Sequence, residues 1–198
     1  IFAVLYAGIF QIKAPGIDTP QYVLMIFSGL VPLLMFNEAL IAAITSIESK
    51  KALVANPSYP LEILPIRAVL ASQIPGLIAL VITCCFAIYL GHVHWSAVFV
   101  VPAMWTLLLL MACGVGSILA LMNLIFKDVM MGIGLVTMVL LITSPFAYTP
   151  EMVPERLKII IYANPLSYFV MVFQSTICFN EAPEIWVAFV ALSLASLI

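Results

Sequence analysis

Residues 22–47 read YVLMIFSGLVPLLMFNEALIAAITSI, 26 residues in which Glu38 is the one ionisable side chain. A bilayer-crossing helix needs ~20 predominantly apolar residues, so this stretch is long enough to span. Pro32 inside it does not argue against a helix, because neighbouring groups in a membrane bundle satisfy the carbonyl that a proline frees. Glu38 is then the informative residue. A carboxylate in a span costs roughly 2.5–3.5 kcal/mol on insertion scales, so it faces a bundle interior, a wet path or a polar partner. Counted back from Ile47 it lies about 13–14 Å from that helix end, at neither the surface nor the centre. Two roles stay open for it: a path-lining group, or a structural hydrogen-bond partner for another helix.

The flanking sequence has the same character. Of 198 residues, 65% are hydrophobic and 8% charged, and the mean hydropathy is +1.25. Soluble domains are nearer ~45–50% apolar and about 25% charged. Seven Lys/Arg and nine Asp/Glu cannot cover the surface of a water-soluble globule of this size. Disorder is excluded by the same numbers. A net charge of −2 without a basic stripe excludes a nucleic-acid partner. Cys84 and Cys85 are adjacent, while Cys113 and Cys178 sit in apolar runs, so the four cysteines read as packing residues and not as a disulfide framework.

Further spans are expected at Ala68 to Leu90, Ser96 to Phe126 and Val129 to Tyr148, separated by the turns GHVHW (91–95) and Lys127-Asp128. Ile1 to Ile12 reads as half of a span and Ile185 to Ile198 as the start of another. Between residues 48 and 67 the chain is polar, and Pro57, Pro60 and Pro65 argue against a continuous helix there. Ser49 to Ala55 has room for about two short turns before them. The apolar run from Asn164 to Phe179 makes a helix of roughly 24 Å, short of the ~30 Å hydrocarbon core. A re-entrant hairpin from Pro154 to Asn180 is therefore expected. The expectation is an all-α integral membrane protein with six transmembrane helices, the first and last truncated. It forms a single domain over 1–198, with a polar segment at 46–67 and a hairpin at 149–183. Both ends lie in apolar runs, so the sequence is expected to be the interior of a longer protein.

Chemistry-bearing motifs are absent. There is no G-x-x-x-x-G-K-[ST], no G-x-S-x-G and no H-E-x-x-H, so no catalytic or metal-binding residue is expected. His92 and His94 read as interfacial imidazoles. Lysine and arginine number four on the side of residues 48–67 and 127–128 and three on the other, too even to orient the chain alone. Tyr6, Phe10, Tyr22, Phe27, Phe146, Tyr148, Tyr162, Tyr168 and Phe169 gather toward one side. Interfacial belts account for such aromatics. If the cargo is a glycan, ring faces also stack on sugar C–H faces and let a polymer slide.

Four stretches resemble a known family in order and spacing. SGLVPLLMFNEAL (28–40) is similar to S/G-L-x-P-W-x-F-x-E-A-L, and LVANPSYPLEILPI (53–66) to L-V-K-K-x-x-F-P-x-E-x-L-P. FKDV (126–129) is similar to F-R-D-V, and TSPFAYTPEMVPERLKIIIYANPLSYF (143–169) to S-P-x-x-Y-x…V-P…L-N-P. These are the marks of permease subunits of ABC-2 type exporters, nearest to the polysaccharide and polyol-phosphate group (O-antigen, capsule, teichoic acid). The match departs at Leu33, where the family carries Trp, at Ala55-Asn56, where it carries Lys-Lys, and at Gln174, where an Arg often stands.

The resemblance implies a homodimeric permease in a bacterial cytoplasmic membrane, moving a lipid-linked polysaccharide outward. Two copies of a separate ABC ATP-binding subunit would supply the energy. ATP and Mg would sit on that partner, with no cofactor in this chain. It implies ATPase coupling through Ser46, Ile47, Glu48, Ser49, Lys50, Lys51, Ala52, Leu53 and Val54, with Lys127 and Asp128 as a second contact. A substrate path would involve Tyr6, Phe10, Phe27, Phe36, Glu38, Phe146 and Tyr148. The outer gate would use Pro145, Pro154, Tyr162, Asn164, Pro165, Tyr168 and Phe169. It also places 48–67 in the cytoplasm. Two rivals remain: an ABC-2 exporter of another lipid or a drug, and an ion-coupled secondary transporter. The latter is disfavoured by the lack of an internal repeat.

Overall fold

The computed structural model describes residues 18–50, 63–126, 128–148 and 153–179, and every element among them is helical. Six α-helices follow in order: α1 (Thr19–Ser46), α2 (Ile63–Leu90), α3 (Ala97–Ile125), α4 (Val129–Thr143), α5 (Glu155–Ala163) and α6 (Pro165–Ile177). A 3₁₀ turn, Glu48–Lys50, follows α1. The half-spans expected at 1–12 and 185–198 lie outside the described residues.

Prolines set most of the boundaries. Pro20 sits in the first turn of α1, where its missing N–H breaks no bond. For the same reason α2 begins at Ile63 and takes Pro65 into its first turn. It starts five residues before the Ala68 expected from the proline cluster, which was read as excluding helix too far along. In the other direction, α4 stops at Thr143 and not at Tyr148. Ser144 precedes Pro145 and is extended, with ψ 137°, because the proline ring disfavours helical geometry at the residue before it. Asn164 before Pro165 is extended likewise, with ψ 115°. It breaks α5 from α6 with a bend of 99°.

Three helices, α1, α2 and α3, are long and apolar enough to cross a membrane. At 15 residues α4 is about 22 Å long, and at 13 residues α6 is about 20 Å, both shorter than the ~30 Å core. The expected count of six spans thus meets three helices of spanning length among the described residues.

The bundle is built around α1. Some 72% of its apolar window is buried, against 22% for α2 and 28% for α3. Small residues permit the close approach. Gly76 of α2 lies against the side chain of Met35, and a Cβ at Gly116 of α3 would stand 2.6 Å from the Ala43 Cβ. Buried amides add directional contacts: Gln73 Nε2 donates to the Met35 carbonyl and Asn123 Nδ2 to the Ile44 carbonyl, both at 3.4 Å. The outward faces are apolar, as with Ile74, Ile78 and Ile82 on α2 and Met131, Leu135 and Met138 on α4. Below, the "upper" end is the one carrying Asp18, the α2–α3 turn and Ser144–Tyr148. The "lower" end carries Ser46, Ile63 and Ile125.

Candidate functional site

The polar chemistry of the upper half converges on the strap 144–148 that follows α4. Pro145 removes one donor from it and leaves its carbonyls to be satisfied by side chains. Gln174, 3% exposed on α6, points its Nε2 at three of them: Pro145 and Phe146 at 3.1 Å, and Met25 of α1 at 3.3 Å. An amide nitrogen has two hydrogens, so one is shared among the acceptors. Tyr22, buried on α1, donates its hydroxyl to the Ala147 carbonyl at 3.0 Å. Tyr148 donates back to Thr143 at 3.0 Å. Gly29 makes room for this junction. A Cβ there would lie 2.9 Å from the Phe146 Cβ and 3.0 Å from Gln174 Nε2.

Asn164 holds the elbow. Its Oδ1 accepts the Leu166 N–H at 2.9 Å and so caps α6. Its Nδ2 donates to the Leu140 carbonyl at 2.8 Å and to Thr143 Oγ1 at 2.9 Å, tying the elbow to the last turn of α4. The elbow's outer side carries Tyr162 and Tyr168, whose rings lie 6.5 Å apart, with the Tyr168 hydroxyl donating to the Tyr162 carbonyl at 2.7 Å.

One narrow stripe of α1 stays uncovered. Phe27, Leu34, Glu38 and Ile41 are exposed and fall on one side of the helix. Beside Glu38, Asn37 Oδ1 is buried with no hydrogen-bond partner among the described residues. Among those residues Glu38 is the one carboxylate inside a span-length helix.

The structure separates the aromatics expected to line a path. Phe27 is exposed on the α1 stripe, whereas Phe36 and Phe146 are 4% and 5% exposed and belong to the core. Tyr148 is half-buried beside the strap. Among the gate residues, Pro145, Asn164 and Phe169 are buried, Pro165 is half-buried, and Pro154 opens α5. At the lower end, Ser46 and Ile47 are buried and Glu48, Ser49, Lys50 and Asp128 are exposed. Tyr6, Phe10, Lys51, Ala52, Leu53, Val54 and Lys127 lie outside the described residues. Sequence reasoning missed the grip of Gln174 on the strap and those of Gln73 and Asn123 on α1. A lone amide inside an apolar helix is the signal that would have found all three.

Phe36 and Leu40 also line an apolar cavity of ≈ 310 Å³ that α1 shares with Met111 and Val115 of α3, Thr137 and Leu140 of α4, and the elbow at Pro165 and Leu166. On the α4 side it is bordered by Thr137, the one buried residue of that helix.

Residues 1–178 match the family described as ABC-2 type transporter. The chain belongs to that family. It is a multi-pass membrane protein, as the apolar helices and the family together require. Two curated proteins, each named O-antigen export system permease protein RfbA and from Klebsiella pneumoniae, are 23% identical to it over 172 residues. That alignment covers 86% of this chain and 66% of either relative. An ABC-2 membership fits the fold on the page: all-helical among the described residues, with three helices long and apolar enough to cross a membrane.

Proposed function

We propose that this chain is the permease subunit of an ATP-driven ABC-2 exporter that carries a lipid-linked polysaccharide out of a bacterial cytoplasm. One observation supports the reading most strongly: α1 exposes Glu38 on a stripe within the span, while the outward faces of α2 above Arg67, of α3 and of α4 carry no charged residue. A carboxylate facing lipid costs roughly 2.5–3.5 kcal/mol, so the stripe faces water or protein. Facing a second copy of the chain across a central path meets that need. The similarity to O-antigen export permeases supports a glycan as cargo.

In this reading the lower end is cytoplasmic. Ser46 to Val54, with Lys127 and Asp128, dock on an ABC ATP-binding subunit, present in two copies and carrying ATP and Mg. The segment 149–183 is a re-entrant outer gate in a protein of six spans. The 99° elbow at Asn164 and the ~20 Å length of α6 support the re-entrant shape. The membrane is the bacterial cytoplasmic one, and the protein carries no reaction of its own.

The test pairs purification with labelling. The full-length protein is tagged, extracted in mild detergent and checked for an equimolar P-loop ATPase. In a cysteine-free background, Leu34→Cys and Ile41→Cys are probed in cells with a membrane-impermeant maleimide, with Ile78→Cys as the lipid-facing control. Co-purification, and labelling of the α1 positions alone, are expected. A homo-oligomer with no ATPase, together with α1 positions as unreactive as Ile78→Cys, overturns the reading.

The apolar cavity favours a second reading, an ABC-2 exporter of an apolar lipid or drug. At ≈ 310 Å³ it sits at the small end of the ~300–1,000 Å³ range of ligand pockets. Substituting Val115→Trp to fill it would abolish transport of such a cargo and spare transport of a polymer moving along α1.

A further inference from the structure

The hydrogen bonds that fasten α1 divide cleanly at Pro32. Above it, side-chain bonds tie α1 to the strap and α6. Gln21 Nε2 donates to the Cys178 carbonyl at 3.3 Å, Tyr22 to Ala147 at 3.0 Å, and Gln174 to Met25 at 3.3 Å. Below it, the bonds go to α2 and α3: Gln73 to Met35 and Asn123 to Ile44. The close backbone approaches divide the same way. Gly29 sits against Phe146 and Gln174, while Met35 sits against Gly76 and Ala43 against Gly116.

Pro32 is the weakest point of the helix between these two sets. It has no N–H to offer the Ser28 carbonyl one turn earlier, and its ring crowds that turn. Prolines are a common cause of helix kinks, and hinges are short segments that absorb the dihedral change between rigid parts. Apolar packing is continuous past Pro32, but it is non-directional. Hydrogen bonds are directional, so they decide what moves together.

We propose that Pro32 is a hinge that divides α1 into two levers. The upper lever, residues 19–31, moves with the strap and α6. The lower lever, residues 33–46, moves with α2 and α3. Among the described residues one backbone bond crosses the division, from the His94 N–H to the Thr176 carbonyl at 3.2 Å. It lies in the α2–α3 turn, which leaves α2 through Gly91 at φ 73°, a conformation outside the helical range. The turn is itself bonded to α2, His92 N–H to the Ala87 carbonyl at 3.2 Å, so it is where a hinge motion would load the other helices. The consequence is a route for a push at Ser46 to reach the strap: the lower lever tilts, and bending at Pro32 alters the angle at which the upper lever presents Tyr22 and Met25. The division is a property of the bundle and holds whatever the chain carries.

The experiment measures distances on the full-length protein in lipid nanodiscs. Spin labels go on Val23→Cys and Ile41→Cys in a cysteine-free background, one on each lever. A straight helix places these positions about 27 Å apart, within the range of pulsed electron resonance. The expected result is a broad distribution in the otherwise native chain, cut to about half that width in Pro32→Ala, where the restored N–H bonds Ser28 and stiffens the helix. Pro32→Gly, which keeps the flexibility without the ring, is expected to stay broad. A narrow distribution in the native sequence overturns the hinge. So does a Pro32→Ala distribution as broad as the native one. The measurement uses neither cargo nor ATPase, so a failure of the export reading leaves its result intact.

Discussion

Two apolar helices of this bundle have opposite fates. Of the residues of α1, most are buried, while α4 buries Thr137 alone. Hydrophobicity does not separate them, since α4 contains no charged residue and α1 carries Glu38. In water the more apolar helix would be the more buried. In a bilayer the lipid tails are as apolar as a leucine, so burial follows close packing and hydrogen bonds instead. What α1 has is partners that come near: Gly76 and Gly116 from α2 and α3, and the amides of Gln73, Asn123 and Gln174. What α4 has is two glycines, Gly132 and Gly134, with nothing within 4 Å of the space a Cβ would fill.

The sharpest way to break this contrast is to add one methyl group to each kind of glycine. Gly116→Ala would put its Cβ 2.6 Å from the Ala43 Cβ, a group with no rotamer to escape into. Overpacking of that kind costs about 1–3 kcal/mol. Gly76→Ala meets Met35, whose flexible side chain can turn aside, and the expected loss is smaller. Gly132→Ala and Gly134→Ala fill open space and remove a poor helix former, so they are expected to be neutral or stabilising by up to ~1 kcal/mol. Thermal denaturation of the purified variants in detergent reads the order. A Gly132→Ala loss equal to that of Gly116→Ala would show that α4 is as tightly packed as α1.

The amides come next in size. Gln174→Leu keeps the volume and removes the donor from the Pro145, Phe146 and Met25 carbonyls. Leaving buried acceptors without a partner costs about 1–3 kcal/mol. Asn164→Ala removes the cap of α6 and the tie to α4, for an expected loss of about 0.5–2 kcal/mol. The two should differ in place as well as size. Gln174→Leu loosens the strap against α1, whereas Asn164→Ala frees α4, so protease cleavage after Tyr148 should rise more in the first. Equal cleavage in both would mean that strap and elbow open together.

Much of this could be read from the sequence, and the part that could not has a physical cause. The run 22–47 and the shortness of the apolar segment from Asn164 follow from length alone, whereas the bend at Asn164-Pro165 was seen only in the fold. Proline also produced the two errors. Pro65 was read as a breaker though it sits in a first turn, where its lost N–H has no bond to break. Ser144 was read as helix though it precedes Pro145. The packing was not legible. When nearly every face of a helix is apolar, periodicity no longer points to the core, and nothing in the pattern says that Phe146 packs inward while Phe27 faces out. Gln174 was visible as a departure from the family's Arg, yet its three carbonyl partners lie far from it in sequence and come together only in the fold.

The smallest expected effect tests whether the strap is held as one piece. Tyr22→Phe deletes a single hydroxyl that donates to the Ala147 carbonyl at 3.0 Å. The expected loss is about 0.5–1.5 kcal/mol, since the ring keeps its packing and one hydrogen bond goes. Ala147 is next in the chain to Phe146, which Gln174 holds. If the two grips secure one rigid strap, losing either lets the segment shift and weakens the other. The double variant Tyr22→Phe with Gln174→Leu should then cost less than the two single losses added, by roughly 0.5 kcal/mol or more. Strict additivity would mean that each carbonyl is held on its own. The upper lever of α1 would then be fastened to the strap at two separate points, with Gln174 and the Gln21–Cys178 bond joining it to α6.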